Sequence, residues 1–359
     1  MTNLIIISSC PSANASIINR EETFNTTNKP FTRHLKIYSK LSQKYPEATY
    51  INEKWASDLI KKKIVTLPFI DSAYIIFLEN AYKSFISCGS NDECTSPYDG
   101  GLVNYLYHKS GLPNNKKNIP YYLQCGIYGN DFCTSIFDYT YETALESAYN
   151  SIIAAKNIEL NKIIYCCNIF PGHHAAPKLF SGYCFLNNTA ICAHKLLEKY
   201  DRITILDLDY HHGDGTQKIF YEDSRVLTVS LHGDPINNYP FYTGYDNEHG
   251  EGHGDAYNYN YPLANGTSWP TYSGILSEAL DMITEFNPDV LIVAFGADTY
   301  KDDPQGGFCL DLPDYQQMGQ LIKKAITKPI IVTQEGGYHM ESIDKIVCNF
   351  IDGLLEQIM

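Results

Sequence analysis

Ile203-Thr204-Ile205-Leu206-Asp207-Leu208-Asp209-Tyr210-His211-His212-Gly213-Asp214-Gly215 joins a short apolar run to a dense polar cluster. The run up to Leu208 predicts a buried β-strand. Side chains alternate across a strand, so Asp207, Asp209 and His211 are expected on one side. Two carboxylates and an imidazole gathered at a strand end make an oxygen/nitrogen donor set suited to a catalytic zinc or ferrous ion. Charges at strand ends are often simply solvated; here partners elsewhere in the chain argue for a site.

Outward from this stretch the same arrangement recurs. From about residue 160, Ile163–Phe170, Ile203–Leu208, Val226–Leu231, Val290–Phe295 and Pro329–Thr333 read as strands. Between and after them, Leu186–Tyr200, Tyr272–Phe286, Pro313–Thr327 and Met340–Ile358 read as helices. Alternating elements with continuously apolar strands predict an α/β fold: a central, mostly parallel sheet covered on both faces, binding its ligand beyond the carboxyl ends of the strands. The earlier part is less regular. Leu4–Ile7 reads as a first strand without the basic flank of a signal peptide. Phe31–Tyr45 and Asp71–Phe85 read as helices, the second with Glu79 and Lys83 spaced as an outward pair. Residues 86–122, rich in Ser, Asn, Gly, Pro and acidic groups, are expected to form a surface insertion. With no linker, repeat or low-complexity tract, residues 1–359 are expected to be one domain.

Composition narrows the function. The net charge is −14, from 27 Lys+Arg against 41 Asp+Glu, the opposite of a nucleic-acid binder's balance. Cationic partners such as lysine-rich tails or polyamines fit better. The 11 cysteines are scattered without zinc-type pairing, which points to a reducing, cytoplasmic or otherwise intracellular setting. No stretch approaches the ~20 apolar residues of a membrane span.

Four polar segments each follow a predicted strand: Pro171-Gly172-His173-His174-Ala175, Asp207 to Gly215, Gly296-Ala297-Asp298-Thr299 with Asp303-Pro304 beyond, and Glu335-Gly336-Gly337-Tyr338. Singly they are weak signals; four at strand ends of one chain are specific. A catalytic zinc takes about three protein ligands and keeps a position open, and Asp209, His211 and Asp298 could supply them. Asp207 and Asp214 are then available to orient the tandem histidines. His173 and His174 form an acid/base pair able to activate water, and Tyr338 could donate its hydroxyl to a developing oxyanion. Together these suit amide hydrolysis without a covalent intermediate.

In this order, P-G-H-H-A, D-L-D-Y-H-H-G-D-G-T, G-A-D-T and E-G-G-Y resemble the zinc-dependent histone deacetylase superfamily, which includes the bacterial acetylpolyamine amidohydrolases. Gly182-Tyr183-Cys184-Phe185-Leu186-Asn187, Ser230-Leu231-His232-Gly233-Asp234-Pro235 and Gly250-Glu251-Gly252-His253-Gly254 agree. The likeness is strong over roughly residues 140 to 340. It implies an arginase/deacetylase-type three-layer fold, zinc on Asp209, His211 and Asp298, and His174 as principal base and acid with His173 an electrostatic assistant. It pairs Asp207 with His173 and Asp214 with His174, and makes Tyr338 the carbonyl-polarising residue. It further implies a potassium ion on Asp207 and Ser230 with the carbonyls of Asp209, His211 and Leu231. Tyr183 and Tyr239 would wall an aromatic tunnel where phenylalanine is more usual, and the Gly182 carbonyl would meet the substrate amide. His232, His249 and His253 are read as loop structure.

Two rival readings are weighed against these residues. A two-manganese ureohydrolase needs a further acid near Asp298, but Tyr300 stands two positions on. A catalytically inactive acyl-lysine-binding module would have lost a ligand or the tyrosine. For substrate, Gln305 stands where polyamine-specific relatives can carry a glutamate, which favours Nε-acyl-lysine of proteins, histones among them; an acetylated polyamine is the alternative. Asp92, Glu93 and Asp99 of the insertion could meet a cationic amine or a lysine-rich peptide backbone, and the insertion's similarity to the loop that acetylpolyamine amidohydrolases use for dimerisation implies a homodimer.

Overall fold

The computed structural model describes residues 3–8, 15–23, 27–52, 57–89, 94–96, 99–103, 119–160 and 162–356. Among these residues lie eight strands: β1 (Leu4–Ser8), β2 (Thr49–Ile51), β3 (Ile163–Cys167), β4 (Ile203–Asp207), β5 (Val226–Gly233), β6 (Asn258–Leu263), β7 (Val290–Phe295) and β8 (Ile330–Gln334). They form one sheet in the order β2-β1-β3-β8-β7-β4-β5-β6, and every pairing is parallel. The expected α/β architecture is observed.

The strand sequences explain the layering. β1, β3, β4, β5, β7 and β8 are buried at every position, as a sheet covered on both faces requires. Successive residues enter opposite layers. Ile5, Ile164, Ile205 and Ile292 pack with the helices Ser72–Ser87, Thr140–Asn157 and Asn188–Leu196. Leu4, Ile163, Leu206 and Val293 pack with Pro30–Lys44, Trp269–Phe286, Leu312–Ala325 and Ile343–Leu355. In the second layer Phe295 stacks on Phe350 at 4.2 Å between ring centroids.

Topology then places the site. β3 and β4 follow one another in sequence but are separated in the sheet by β8 and β7. The four strands that carry the polar segments, β3, β8, β7 and β4, are therefore contiguous at the centre, and their carboxyl ends form one crevice.

Several expectations are corrected. Asp207 ends its strand, so Asp209 and His211 do not converge by strand alternation. Consecutive side-chain-to-backbone bonds gather them instead: Asp209 N–H donates to Asp207 Oδ1 (3.1 Å) and His211 N–H to Asp209 Oδ1 (2.9 Å). Glu79 pairs with Lys61 of the neighbouring helix Ser57–Ile64 rather than with Lys83. His232 is not in a loop; it lies in β5, fully buried, with Nδ1 on Ser230 Oγ (2.8 Å) and Nε2 on the Gly244 carbonyl (2.8 Å). His249 and His253 are exposed. Of the insertion, Thr95 and Leu102 form an antiparallel bridge, and Leu102 bridges on to Ile136. Asp99 is held locally, accepting from Gly101 N–H and Ser135 Oγ. Asp92 and Glu93 lie outside the described residues. No helix among the described residues is long and apolar enough to cross a membrane.

Candidate active site

Asp209 and His211, on the loop after β4, meet Asp298, on the loop after β7, with their ligand atoms all within 4.8 Å of one another. His211 Nδ1 is 3.3 Å from both Asp209 Oδ1 and Asp298 Oδ2. Among the described residues, only histidines come within ion-pairing distance of these two fully buried carboxylates. Their other bonds are to backbone: Gly336 N–H donates to Asp209 Oδ2 (2.8 Å) and Tyr210 N–H to Asp298 Oδ1 (2.9 Å). Glycines keep the cradle open. A Cβ on Gly296 would stand 2.1 Å from Asp209 Oδ2, and one on Gly336 would stand 2.4 Å from Asp298 Oδ2. Two facing carboxylates and an imidazole without Lys or Arg, around a space that side chains avoid, fit a divalent cation of the zinc type.

The electrostatics agree. Burial and the neighbouring Asp209 charge push Asp298 up, while Asp209 is held low by His173 and His211 despite its own burial. Burial alone would lower His211, but its bonds to Asp209 and Asp298 carry it up to about 9.

The tandem histidines sit beside this group, ring centroids 4.0 Å apart. His173 Nδ1 meets Asp207 Oδ2 at 3.1 Å, and His174 Nδ1 meets Asp214 Oδ1 at 2.7 Å. Both carboxylate partners expected from the sequence are in place. The two rings differ in charge preference. Burial would depress His173, yet Asp209 and Asp207 raise it well above its ordinary value. Burial and the adjacent His173 lower His174 to about 4, against the pull of Asp214. Two imidazoles this close resist double protonation, so His174 is the neutral member.

Above them is a cavity of about 680 Å³ lined by His174, His211, Tyr183, Tyr239, Gln305 and Tyr338, with Phe132, Phe241 and Tyr242 at its rim. Tyr239 packs edge-on to His174 (4.9 Å), and Tyr183 edge-on to Tyr338 (5.8 Å). Gly182 and Tyr183 both have left-handed backbone, with φ of 53° and 64°. Gly182 is further required because a Cβ there would stand 2.2 Å from His174 Cδ2. Its carbonyl accepts from the Cys184 thiol at 3.3 Å. Burial, then Asp298, lifts Tyr338 well above the ordinary phenol value, so its hydroxyl stays protonated and able to donate.

Asp207 and Ser230, predicted to share a cation, are register partners on β4 and β5 and line one polar gap with His212 and Gly213. A further group, His173, Cys184 and Glu335, also brings potential ligand atoms within 4.8 Å. Its members are already committed: His173 Nδ1 to Asp207, and both Glu335 oxygens to hydrogen-bond donors.

Sequence reasoning quoted Asp303 and Glu335 without giving them work, and missed Asp131 and Arg33. Asp303 Oδ2 accepts from Tyr338 N–H (2.6 Å) and His339 N–H (2.9 Å), holding the tyrosine loop. Asp131 accepts from Gly182 N–H (2.6 Å), and Thr134 Oγ1 from Tyr183 N–H (2.9 Å), holding the tunnel wall. Arg33 is buried within the helix Pro30–Lys44, donates to the Ile169 carbonyl (3.0 Å), and lies 5.9 Å from the Tyr338 ring. An arginine on the buried face of an amphipathic helix was the available signal for the last.

Residues 72–354 match the histone deacetylase domain family, and the chain belongs to it. It is 48% identical over 284 residues to acetylpolyamine amidohydrolase 2 of Pseudomonas aeruginosa, covering 78% of this chain and 79% of that protein. Acetylpolyamine amidohydrolase 1 of the same species is 38% identical over 287 residues, covering 79% of this chain and 80% of that one. The crystal structure of an acetylpolyamine aminohydrolase from Burkholderia pseudomallei has a TM-score of 0.78 at 29% identity, covering 90% of each chain. The resemblance read from the motifs is borne out, and the chain is a hydrolytic deacetylase.

Proposed function

We propose that the chain forms a single metal-dependent deacetylase domain that hydrolyses the amide of an N-acylated alkylamine. The observation that carries this reading is the convergence of Asp209, His211 and Asp298 with the asymmetric histidine pair and Tyr338 around one cavity. Asp209, His211 and Asp298 would hold zinc, with ferrous iron an alternative; when bound, such an ion supplies Lewis acidity to the amide carbonyl and acidifies water. His174, neutral and oriented by Asp214, takes the proton from water and returns it to the leaving amine. His173, paired with Asp207, is the electrostatic assistant. Tyr338 donates its hydroxyl to the carbonyl oxygen as that becomes an oxyanion. Tyr183 and Tyr239 guide the alkyl chain, and the Gly182 carbonyl accepts the substrate N–H. Asp207 and Ser230 would hold potassium as a structural ion.

Two substrate classes fit, because Nε-acetyl-lysine and an acetylated polyamine both present an acetamide on an unbranched chain. The names of the two Pseudomonas relatives support the polyamine. Gln305, neutral at the cavity with its Nε2 on the Tyr183 hydroxyl (3.2 Å), supports a lysine side chain or histone tail. Asp131, a carboxylate that lines the same cavity and is bonded only by neutral donors, supports a cationic amine. The test is turnover of acetylspermidine and of an acetyl-lysine peptide by wild type and His174→Ala, with metal content measured on both. Activity lost in the variant at equal metal content is expected. An active His174→Ala, or a wild type indifferent to chelators, would overturn the mechanism, and the ratio of the two turnovers assigns the substrate.

A further inference from the structure

We propose that Glu335 is a positioning residue that fixes the tandem-histidine loop through its backbone. Glu335 follows β8, whose neighbour β3 leads into that loop. Its side chain is fully buried and reaches across to the adjacent strand end. Oε2 accepts from Gly172 N–H (2.6 Å) and His173 N–H (3.0 Å). Oε1 accepts from Thr189 Oγ1 (2.9 Å), which in turn lies 2.7 Å from Thr333 Oγ1. The carboxylate thus bridges the histidine loop, on Oε2, and a rigid support on the helix Asn188–Leu196 and β8, on Oε1.

A carboxylate removed from water costs several kcal/mol unless donors surround it. Among the described residues, no Lys or Arg is within ion-pairing distance of Glu335. Three donors satisfy it instead, and two of them are the N–H groups of the two residues before His174. The opposite side of the same loop is gripped as well: Asn188 Nδ2 donates to the Phe170 carbonyl (3.0 Å) and Asn187 Nδ2 to the Ala175 carbonyl (3.1 Å). There is no slack, since a Cβ on Gly172 would stand 2.5 Å from Asn188 N. Glu335 therefore acts on the site through main-chain placement of both imidazoles, without touching substrate.

The inference rests on the proposed roles of His173 and His174. It predicts a kcat effect, because a misplacement on the order of 1 Å costs roughly 10²-fold in rate. Glu335→Ala and Glu335→Asp both withdraw the acceptor and should lose about 10²-fold in kcat, with KM and metal content near wild type and a melting temperature lowered by the donors left unpaired. Glu335→Gln retains an oxygen for the two N–H groups and an amide for the threonine hydroxyls, so it should recover most of that loss. Aspartate also serves if the alanine variant does not fold. Folded, metal-loaded Glu335→Ala or Glu335→Asp with kcat within about threefold of wild type would overturn the proposal. So would Glu335→Gln as slow as Glu335→Ala beside an active Glu335→Asp, since charge rather than backbone contact would then be the cause. An active His174→Ala would instead remove the mechanism beneath it, so the two failures are separable.

Discussion

Replacing Tyr338 with phenylalanine isolates one hydroxyl. The ring is 7% exposed, lies edge-on to Tyr183 and under the Arg33 guanidinium, and its loop is held by Asp303; phenylalanine keeps all of these contacts. The hydroxyl belongs to a residue that lines the cavity, so the cost in stability should stay within about 1 kcal/mol. Catalysis should suffer far more. A preorganised donor to an oxyanion is worth about 3–4 kcal/mol, or roughly 10²–10³ in kcat. Tyr338 is pushed well above the ordinary phenol range, so it remains a donor across the working pH range and the loss should not depend on pH there. The assay is steady-state release of free amine from acetylspermidine and from an acetyl-lysine peptide, with metal content and melting temperature on the same preparations. A kcat within about tenfold of wild type at full metal content would remove Tyr338 from the transition state. A loss explained by missing metal would equally refute the reasoning.

Gly182→Ala forces a side chain into left-handed backbone and against His174, so it should cost at least ~1–2 kcal/mol of stability and a larger factor in kcat. Thermal melts and turnover measured together check this, and wild-type values in both would show that the loop relaxes freely. Metal uptake should release protons. His211 is carried up to about 9 by Asp209 and Asp298 in the metal-free site, so it holds a proton that a cation must expel, and apparent affinity weakens as pH falls. Calorimetric titration of zinc into the apo-protein, in buffers of different ionisation enthalpy, measures the number released; a heat independent of buffer would contradict the proposed ligand set.

Local chemistry made much of this protein readable from its chain. β-branched runs such as Ile203–Leu206 and Val290–Phe295 declare buried parallel strands, because only a sheet covered on both faces hides every residue of such a run. The order of the histidine, aspartate and Gly-Gly-Tyr segments pointed to the family, the expected ligand set and the His–Asp pairs. Elements whose stabilising partners are remote stayed hidden. β6 buries Asn258 and Asn260, polar residues satisfied by Gln217 and by the carbonyls of Glu248 and Tyr245, so it lacks the apolar signature of a strand. Glu79 chose Lys61 over the closer-numbered Lys83 because another helix lies alongside.

Tertiary structure alone decided that β8 and β7 stand between β3 and β4, which brings Asp298 to Asp209 and Glu335 under the histidine loop. Periodicity records which face of a segment is buried, whereas strand order depends on how far-separated segments pack once every backbone donor must find an acceptor. The carboxylates that hold the loops of the candidate site, Asp131, Asp303 and Glu335, act on backbone N–H groups, which every residue but proline carries, so no motif announces their partners.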